Sequence, residues 1–260
     1  MTHRARKRFG QNFLHDANVI RRIIQSINPQ PGQALVEIGP GQGAITLPLL
    51  QACGHLEVIE LDRDLIEPLA RKAQTAGTLI IHQADALKFD FRPLAQDRKL
   101  RLVGNLPYNI STPLLFHLLS QADYIQDMHF MLQKEVVDRM AAGPGGGEYG
   151  RLSVMIQYHC RVEPLFHIGP GAFRPAPKID SAFVRLTPWP QAPAVVDDYA
   201  SLSTVVRQAF SQRRKTLRNT LRNLLDEAQI RDSGCDPTAR PETLTLQQYA
   251  SLANRLAQQR

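Results

Sequence analysis

The sequence predicts an α/β protein: a parallel, doubly wound sheet followed by a small all-helical domain. Three observations predict it. Short apolar runs alternate with helical periodicity from Ala34 to beyond Leu132, the rhythm of βαβ units. A glycine-rich loop joins the first of those runs to a helix. Residues 197–260 carry no strand patterning at all.

The elements follow in order. Asp16 stands as an N-cap, and Val19, Ile20, Ile23, Ile24 and Ile27 recur at helical spacing until Asn28-Pro29 ends the pattern. Ala34–Ile38 is a strand, followed by the glycine loop and a helix from about Ile45. Leu56–Glu60 is the second strand, with a helix through Leu65, Leu69 and Ala73 behind it. The third starts at Thr78–Ile81 and ends near Asp85. Leu100–Gly104 is the fourth; Ser111 or Thr112 caps the next helix, and Pro113 suits its first turn. Met128–Leu132 is the fifth, again with a helix after it. Gly143-Pro-Gly-Gly-Gly147 is a flexible loop, a helix follows near 151–160, and Val162–Ile168 and Ala182–Leu186 pattern as late antiparallel strands. Pro188-Trp-Pro-Gln-Ala-Pro193 reads as a linker, which sets a domain boundary between 1–190 and 191–260. Thr245 with Gln248 offers a capping box for the last helix.

Composition narrows the class. The 260 residues, 43% hydrophobic and 21% charged, can bury a core without staples. Cys53, Cys160 and Cys235 form neither an even set nor a CxxC pair, so a disulfide framework or metal site is not expected. No apolar run approaches the roughly 18 residues of a membrane span, and no apolar stretch follows the basic opening MTHRARKR. The expectation is a soluble cytoplasmic protein in a reducing compartment, with no membrane and no metal.

The net charge of +7 calls for an anionic partner, nucleic acid or membrane surface. It is unevenly spread. Arg4, Arg6, Lys7 and Arg8 occupy residues 1–8, and Arg207, Arg213, Arg214, Lys215, Arg218 and Arg222 occupy 207–222, with no acid in either segment. The remainder of the chain is therefore slightly acidic. Such clusters are the footprint of phosphate-backbone binding.

The strand ends carry the candidate chemistry. Glu37-Ile-Gly-Pro-Gly-Gln-Gly43 follows the first strand; Gly39, Gly41 and Gly43 let the backbone turn tightly and approach a ligand. The spacing is G-x-G-x-G, although spacing alone does not exclude a dinucleotide. Glu60 ends the second strand, where a carboxylate can accept bonds from both ribose hydroxyls. Asp85 ends the third and Asn105 the fourth. Open α/β sheets bind ligands at this edge.

Asn105-Leu-Pro-Tyr108 resembles the [D/N]-P-P-[Y/F/W] box of methyltransferases that act on nitrogens conjugated to a π system. Such a nitrogen is a poor nucleophile until its protons are held by acceptors that draw it toward tetrahedral geometry. The Asn105 side-chain carbonyl and the Leu106 backbone carbonyl supply two. Pro107 fixes φ and removes a competing donor, and Tyr108 offers a stacking face. The proton becomes acidic only after attack, so alignment and electrostatics carry the rate rather than a strong base.

With Gln11-Asn-Phe-Leu14, Glu60-Leu-Asp62, Asp85-Ala86, Phe173-Arg-Pro-Ala-Pro-Lys-Ile-Asp-Ser181 and Phe210-Ser-Gln-Arg-Arg-Lys-Thr-Leu-Arg-Asn219 added, the chain resembles the ribosomal RNA adenine N6-dimethyltransferase family, nearest its small-subunit (16S) branch. The motifs cover nearly the whole chain in the family's order. The resemblance implies a Rossmann-like S-adenosylmethionine-dependent methyltransferase sheet over 1–190, a helical RNA- or ribosome-binding domain over 191–260, and a monomer. It implies dimethylation of two adjacent adenines in the 3′-terminal hairpin loop of 16S rRNA, on the small subunit or its precursor, during ribosome biogenesis.

By matching position, Asn12 and Leu14 would meet the methionine part of S-adenosylmethionine. Gly39 and Gly41 would form its loop, Glu60 hold its ribose, Asp85 and Ala86 its adenine, and Asn105 stand between it and the target. Phe173 would stack on the target base opposite Tyr108. Arg213, Arg214, Lys215 and Arg218 would bind RNA. So would Arg4, Arg6, Lys7 and Arg8, because the ten residues before Gln11 are too few for a cleavable presequence.

Two readings compete. A large-subunit, antibiotic-resistance type of adenine methyltransferase is disfavoured by the Phe173–Ser181 stretch and the 213–219 run. A non-catalytic assembly or nucleic-acid-binding factor on the same fold is disfavoured by an intact Asn105–Tyr108 and Glu60.

Overall fold

Two residues, Phe13–Leu14 (β1), precede the first helix, α1 (Ala17–Ile27). Asp16 caps that helix as expected, accepting from the Asn18 and Val19 N–H groups, and Asn28 ends it at φ 48°. The computed structural model describes residues 12–212 and 214–259, so Arg4, Arg6, Lys7, Arg8, Gln11 and Arg213 lie outside the described residues. Ala34–Ile38 (β2), Thr46–Cys53 (α2), His55–Glu60 (β3), Arg63–Ala73 (α3) and Thr78–Gln83 (β4) then alternate, each within a residue or two of its predicted span. A single turn, Arg92–Ala95 (α4), leads to Leu100–Asn105 (β5), Ser111–Leu119 (α5), Ile125–Gln133 (β6) and Lys134–Ala141 (α6). Arg151–His159 (α7), Cys160–Ile168 (β7), Phe173–Arg174 (β8) and Ser181–Pro188 (β9) follow.

The seven-stranded sheet has the order β4-β3-β2-β5-β6-β9-β7. From β4 to β6 the strands run parallel, and β9 pairs antiparallel to β6. β3 lies on one side of β2 and β5 on the other, so the winding reverses at β2, the switch point where such sheets bind ligands. β2, β5 and β6 are buried on both faces, as parallel strands under helices must be. Ile23 and Ile27 of α1 and Leu49, Leu50 and Cys53 of α2 join Leu35, Val58 and Val103 of the sheet in one apolar cluster. β1 and β8 form a separate two-stranded ladder, with Leu14 opposite Phe173.

Arg101 in β5 is 6% exposed and fully engaged. Its Nε donates to both Asp127 carboxylate oxygens at 3.0 and 3.1 Å, and its other nitrogens reach the Gln33 side chain and the Ile27 carbonyl. One buried cation thus ties the end of α1 to two strands. Asp127 lies below the usual carboxylate range: burial pushes it up, but His129 and Arg101 outweigh that.

The chain forms two compact units, one of residues 12–137 and 163–188, the other of 138–162 and 189–259. The stretch 138–162, which the sequence boundary at 190 leaves with the sheet, belongs to the second unit. There Tyr149 packs edge-on against Phe210 at 6.3 Å, and the Gly145 N–H donates to the Glu242 carbonyl. The unit's remaining helices are Tyr199–Ala209 (α8), Leu217–Thr220 (α9), Glu227–Asp232 (α10) and Leu246–Ala257 (α11). Thr245 and Gln248 form the expected capping box. The predicted linker is pinned rather than free: the Trp189 indole N–H donates to the Gln157 carbonyl.

Candidate active site

Four strand ends converge on one cavity of about 340 Å³, within the range of small-molecule sites. Its walls are Asn12–Leu14, Glu37–Gln42, Ile59–Leu61, Ala84–Leu87 and Asn105–Ile110. Asn12, Leu14, Gly39, Gly41, Glu60, Asp85, Ala86, Asn105, Leu106, Pro107 and Tyr108, residues scattered over nearly a hundred positions, are thereby brought together.

The loop after β2 is built for close approach. Gly39, Gly41 and Gly43 have φ of 69°, 56° and 86°, a region that disfavours any side chain. At Gly104, one residue before the end of β5, a Cβ would stand 2.5 Å from the Ile38 carbonyl oxygen. Glycine there lets the ends of β2 and β5 meet, which sets the glycine loop beside Asn105.

Glu60 is 7% exposed. Its two carboxylate oxygens accept from the Gly41 N–H at 3.2 Å and the Asp62 N–H at 2.8 Å. Burial pushes its carboxyl above the ordinary value, and those two bonds pull it part of the way back. A carboxylate oxygen has more than one lone pair, so the group retains capacity for a ligand's hydroxyls. Asp85 is turned by its own Asx bond to the Leu87 N–H, 3.0 Å.

Asn105 is held by its amide. Nδ2 donates to the Asn12 backbone carbonyl at 3.0 Å, across 93 residues of sequence, and this fixes Oδ1 as the free acceptor of the side chain. The Leu106 N–H donates to the Met131 carbonyl, so the box continues the β6 ladder before turning away. Tyr108 is half-buried, and its hydroxyl lies 2.6 Å from Ser181 Oγ. Burial pushes the phenol up, with Ser181 opposing, so it is a neutral ring at physiological pH.

Two expectations need correction. Phe173 does not line the cavity: it is 2% exposed and part of the apolar cluster, because the β1–β8 ladder turns its ring into the core. Neither Ser111 nor Thr112 caps α5; Ile110 takes that position and the Ser111 hydroxyl donates back to the Tyr108 carbonyl. Of the second basic cluster, Arg207, Arg214, Lys215, Arg218 and Arg222 stand exposed in the second unit. No helix among the described residues is long and apolar enough to cross a membrane, and none of their acidic, His and Cys side chains form a metal-holding group.

One cavity residue, named in the sequence only as the start of the glycine motif, has a carboxyl to which the sequence reading gives no role. Glu37 sits inside the apolar β2, 1% exposed, with Oε2 lacking a hydrogen-bond partner among the described residues. Burial pushes its carboxyl up to about 8, eased by the Thr46 hydroxyl and reinforced by Glu60. An acid inside an otherwise apolar strand is the signal that could have found it.

Chemically, the site offers carboxylates for hydroxyl groups, an apolar wall for a flat ring, and a fixed amide oxygen beside an aromatic face. Residues 2–258 match the family model described as ribosomal RNA adenine dimethylase. The "Ribosomal RNA small subunit methyltransferase A" of Pseudomonas aeruginosa is 62% identical over 257 residues, 98% of this chain and 96% of that protein. A dimethyladenosine transferase from Plasmodium falciparum superposes with TM-score 0.77 at 23% identity, over 92% of this chain and 95% of that one. The 23S rRNA methyltransferase ErmE superposes at 0.72 with 25% identity, over 95% and 100% of the two chains.

Proposed function

This chain belongs to the ribosomal RNA adenine dimethylase family, and from that premise we propose that it dimethylates N6 of two adjacent adenines in the 3′-terminal hairpin loop of 16S rRNA. The work is done on small-subunit particles in the cytoplasm, during ribosome biogenesis. One observation carries the reading: the glycine loop and the Asn105–Tyr108 box line the same cavity.

The residues present suit S-adenosylmethionine, which when bound supplies a methyl group activated by its sulfonium. Glu60 holds the ribose hydroxyls, Asp85 and Ala86 flank the adenine, and Gly39 and Gly41 admit the chain close to the ligand. Asn12 and Leu14 close the methionine end. The free Oδ1 of Asn105, with the Leu106 carbonyl, accepts the N6 protons of the target and draws its lone pair out of conjugation. Tyr108 stacks on the base, a contact worth roughly 1–3 kcal/mol in single-strand recognition. Attack needs no prior deprotonation, because the nitrogen becomes acidic only once it carries the new methyl group, and its proton then leaves to water. The exposed cations Arg214, Lys215 and Arg218 grip phosphates, so the second unit docks the particle.

The similarity to a small-subunit relative at 62% identity outweighs that to ErmE at 25% in choosing the RNA. The test is transfer from labelled S-adenosylmethionine to 30S particles lacking the modification, with mapping of the labelled nucleotides. Two dimethylated adjacent adenines are expected, and Asn105→Ala should abolish transfer while cofactor binding persists. Label in large-subunit RNA would select the resistance branch. Particle binding without label would select the assembly factor.

A further inference from the structure

We propose that Ser181 is a positioning residue for the target adenine, and that the segment Phe173–Ser181 clamps the Asn105–Tyr108 box at both of its ends. The inference rests on the adenine reading above and concerns the wall on which the base stacks.

Tyr108 belongs to no helix or strand; it stands in the turn between β5 and α5. Left to itself, such a ring samples several rotamers, and a stacking partner would have to select one. Here the hydroxyl is tied at 2.6 Å to Ser181 Oγ. Ser181 is fully buried and is the first residue of β9, paired with Gln133 of β6. The hydroxyl that holds Tyr108 is therefore itself held by the sheet. Tyr108 also lines the cavity, and a tie made at the hydroxyl engages neither face of the ring.

The other end of the segment acts on Asn105. Phe173 and Arg174 pair with Leu14 and Phe13, and the His15 N–H donates to the Ala172 carbonyl. That ladder holds the stretch whose Asn12 carbonyl accepts the Asn105 amide. The burial of Phe173 has a use here: its ring anchors the ladder in the core. Acceptor and stacking face are thus set by two ends of one nine-residue segment, which fixes their relative geometry before substrate arrives.

Ser181→Ala, Tyr108→Phe and the double variant test this in single-turnover transfer to unmodified 30S particles. Each single change should lower the rate about tenfold, the scale of one missing positioning bond, with particle affinity and cofactor affinity unchanged. The double variant should be no slower than the slower single, since both remove the same bond. The Tyr108 ring carbon, labelled with carbon-13, should titrate higher in Ser181→Ala than in the wild type. Single variants at the wild-type rate, losses that multiply, or an unmoved titration would each overturn the role of Ser181. An inactive wild type would instead overturn the adenine reading on which it rests.

Discussion

Replacing Glu37 by glutamine should stabilise the ligand-free protein, and by more as the pH rises. The carboxyl is sealed in β2 with an unpartnered oxygen, and its value moves from 4.5 in water to about 8 in the fold. Between those values the unfolded chain has released the proton and the folded chain retains it. The folded state binds more protons there, so stability falls with rising pH, by about 1.4 kcal/mol per unit. By pH 7 the loss is about 3 kcal/mol, and it levels off above pH 8. Against a total of about 5–15 kcal/mol for a typical domain, that is measurable. Glutamine has the same shape and does not titrate, so it is spared the loss. Urea unfolding of wild type and Glu37→Gln at pH 5 and pH 8 measures it. The gap between them should widen by about 3 kcal/mol across that interval. A gap that stays constant with pH would refute the argument, because it would mean that Glu37 keeps its ordinary ionisation inside the sheet.

Two further outcomes are expected. Arg101→Ala should cost about 3 kcal/mol at pH 7, because it leaves the largely buried Asp127 carboxylate with His129 alone. Because Asp127 is held low, the wild type's advantage should fade as acid protonates it; a loss below about 1 kcal/mol in urea, the scale of an exposed pair, would contradict the role given to this tie. Neutralising Arg213, Arg214, Lys215 and Arg218 should lower the salt dependence of RNA binding by about 0.7 in log-log slope for each single-strand phosphate that the variant no longer neutralises. An unchanged slope would mean that these cations do not meet phosphate.

The strand ends can be read in the sequence because the relevant signals are local. A run such as Leu56–Glu60 ends in an acid, and the glycines of 39–43 announce a turn wherever they fall. The pairing of Arg101 with Asp127 cannot be read, since it depends on the register of β5 against β6. The same holds for the tether between Asn12 and Asn105, which spans 93 residues. Phe173 shows the limit from the other side: its motif indicates where the residue lies along the chain, whereas the direction of its ring is set by a two-residue ladder with β1. The boundary at 190 rests on the prolines of Pro188–Pro193, but Tyr149 and its neighbours find their partners in the later helices, a preference no local pattern encodes.

β9 is the last strand of the sheet to be made and lies between β6 and β7. During synthesis, β6 must wait with an open edge while the intervening 47 residues, Lys134 to Asp180, emerge. β7 reaches the sheet's end only when that late strand arrives to bridge the gap. Closing so long a loop is slow compared with forming the βαβ units before it. The nascent sheet can therefore assemble its glycine loop and Glu60 early, whereas Tyr108 gains its anchor only when Ser181 zips against Gln133. The order of assembly separates the two halves of the cavity: the glycine loop and Glu60 come first, and a fixed Tyr108 is withheld until the chain is nearly three-quarters made.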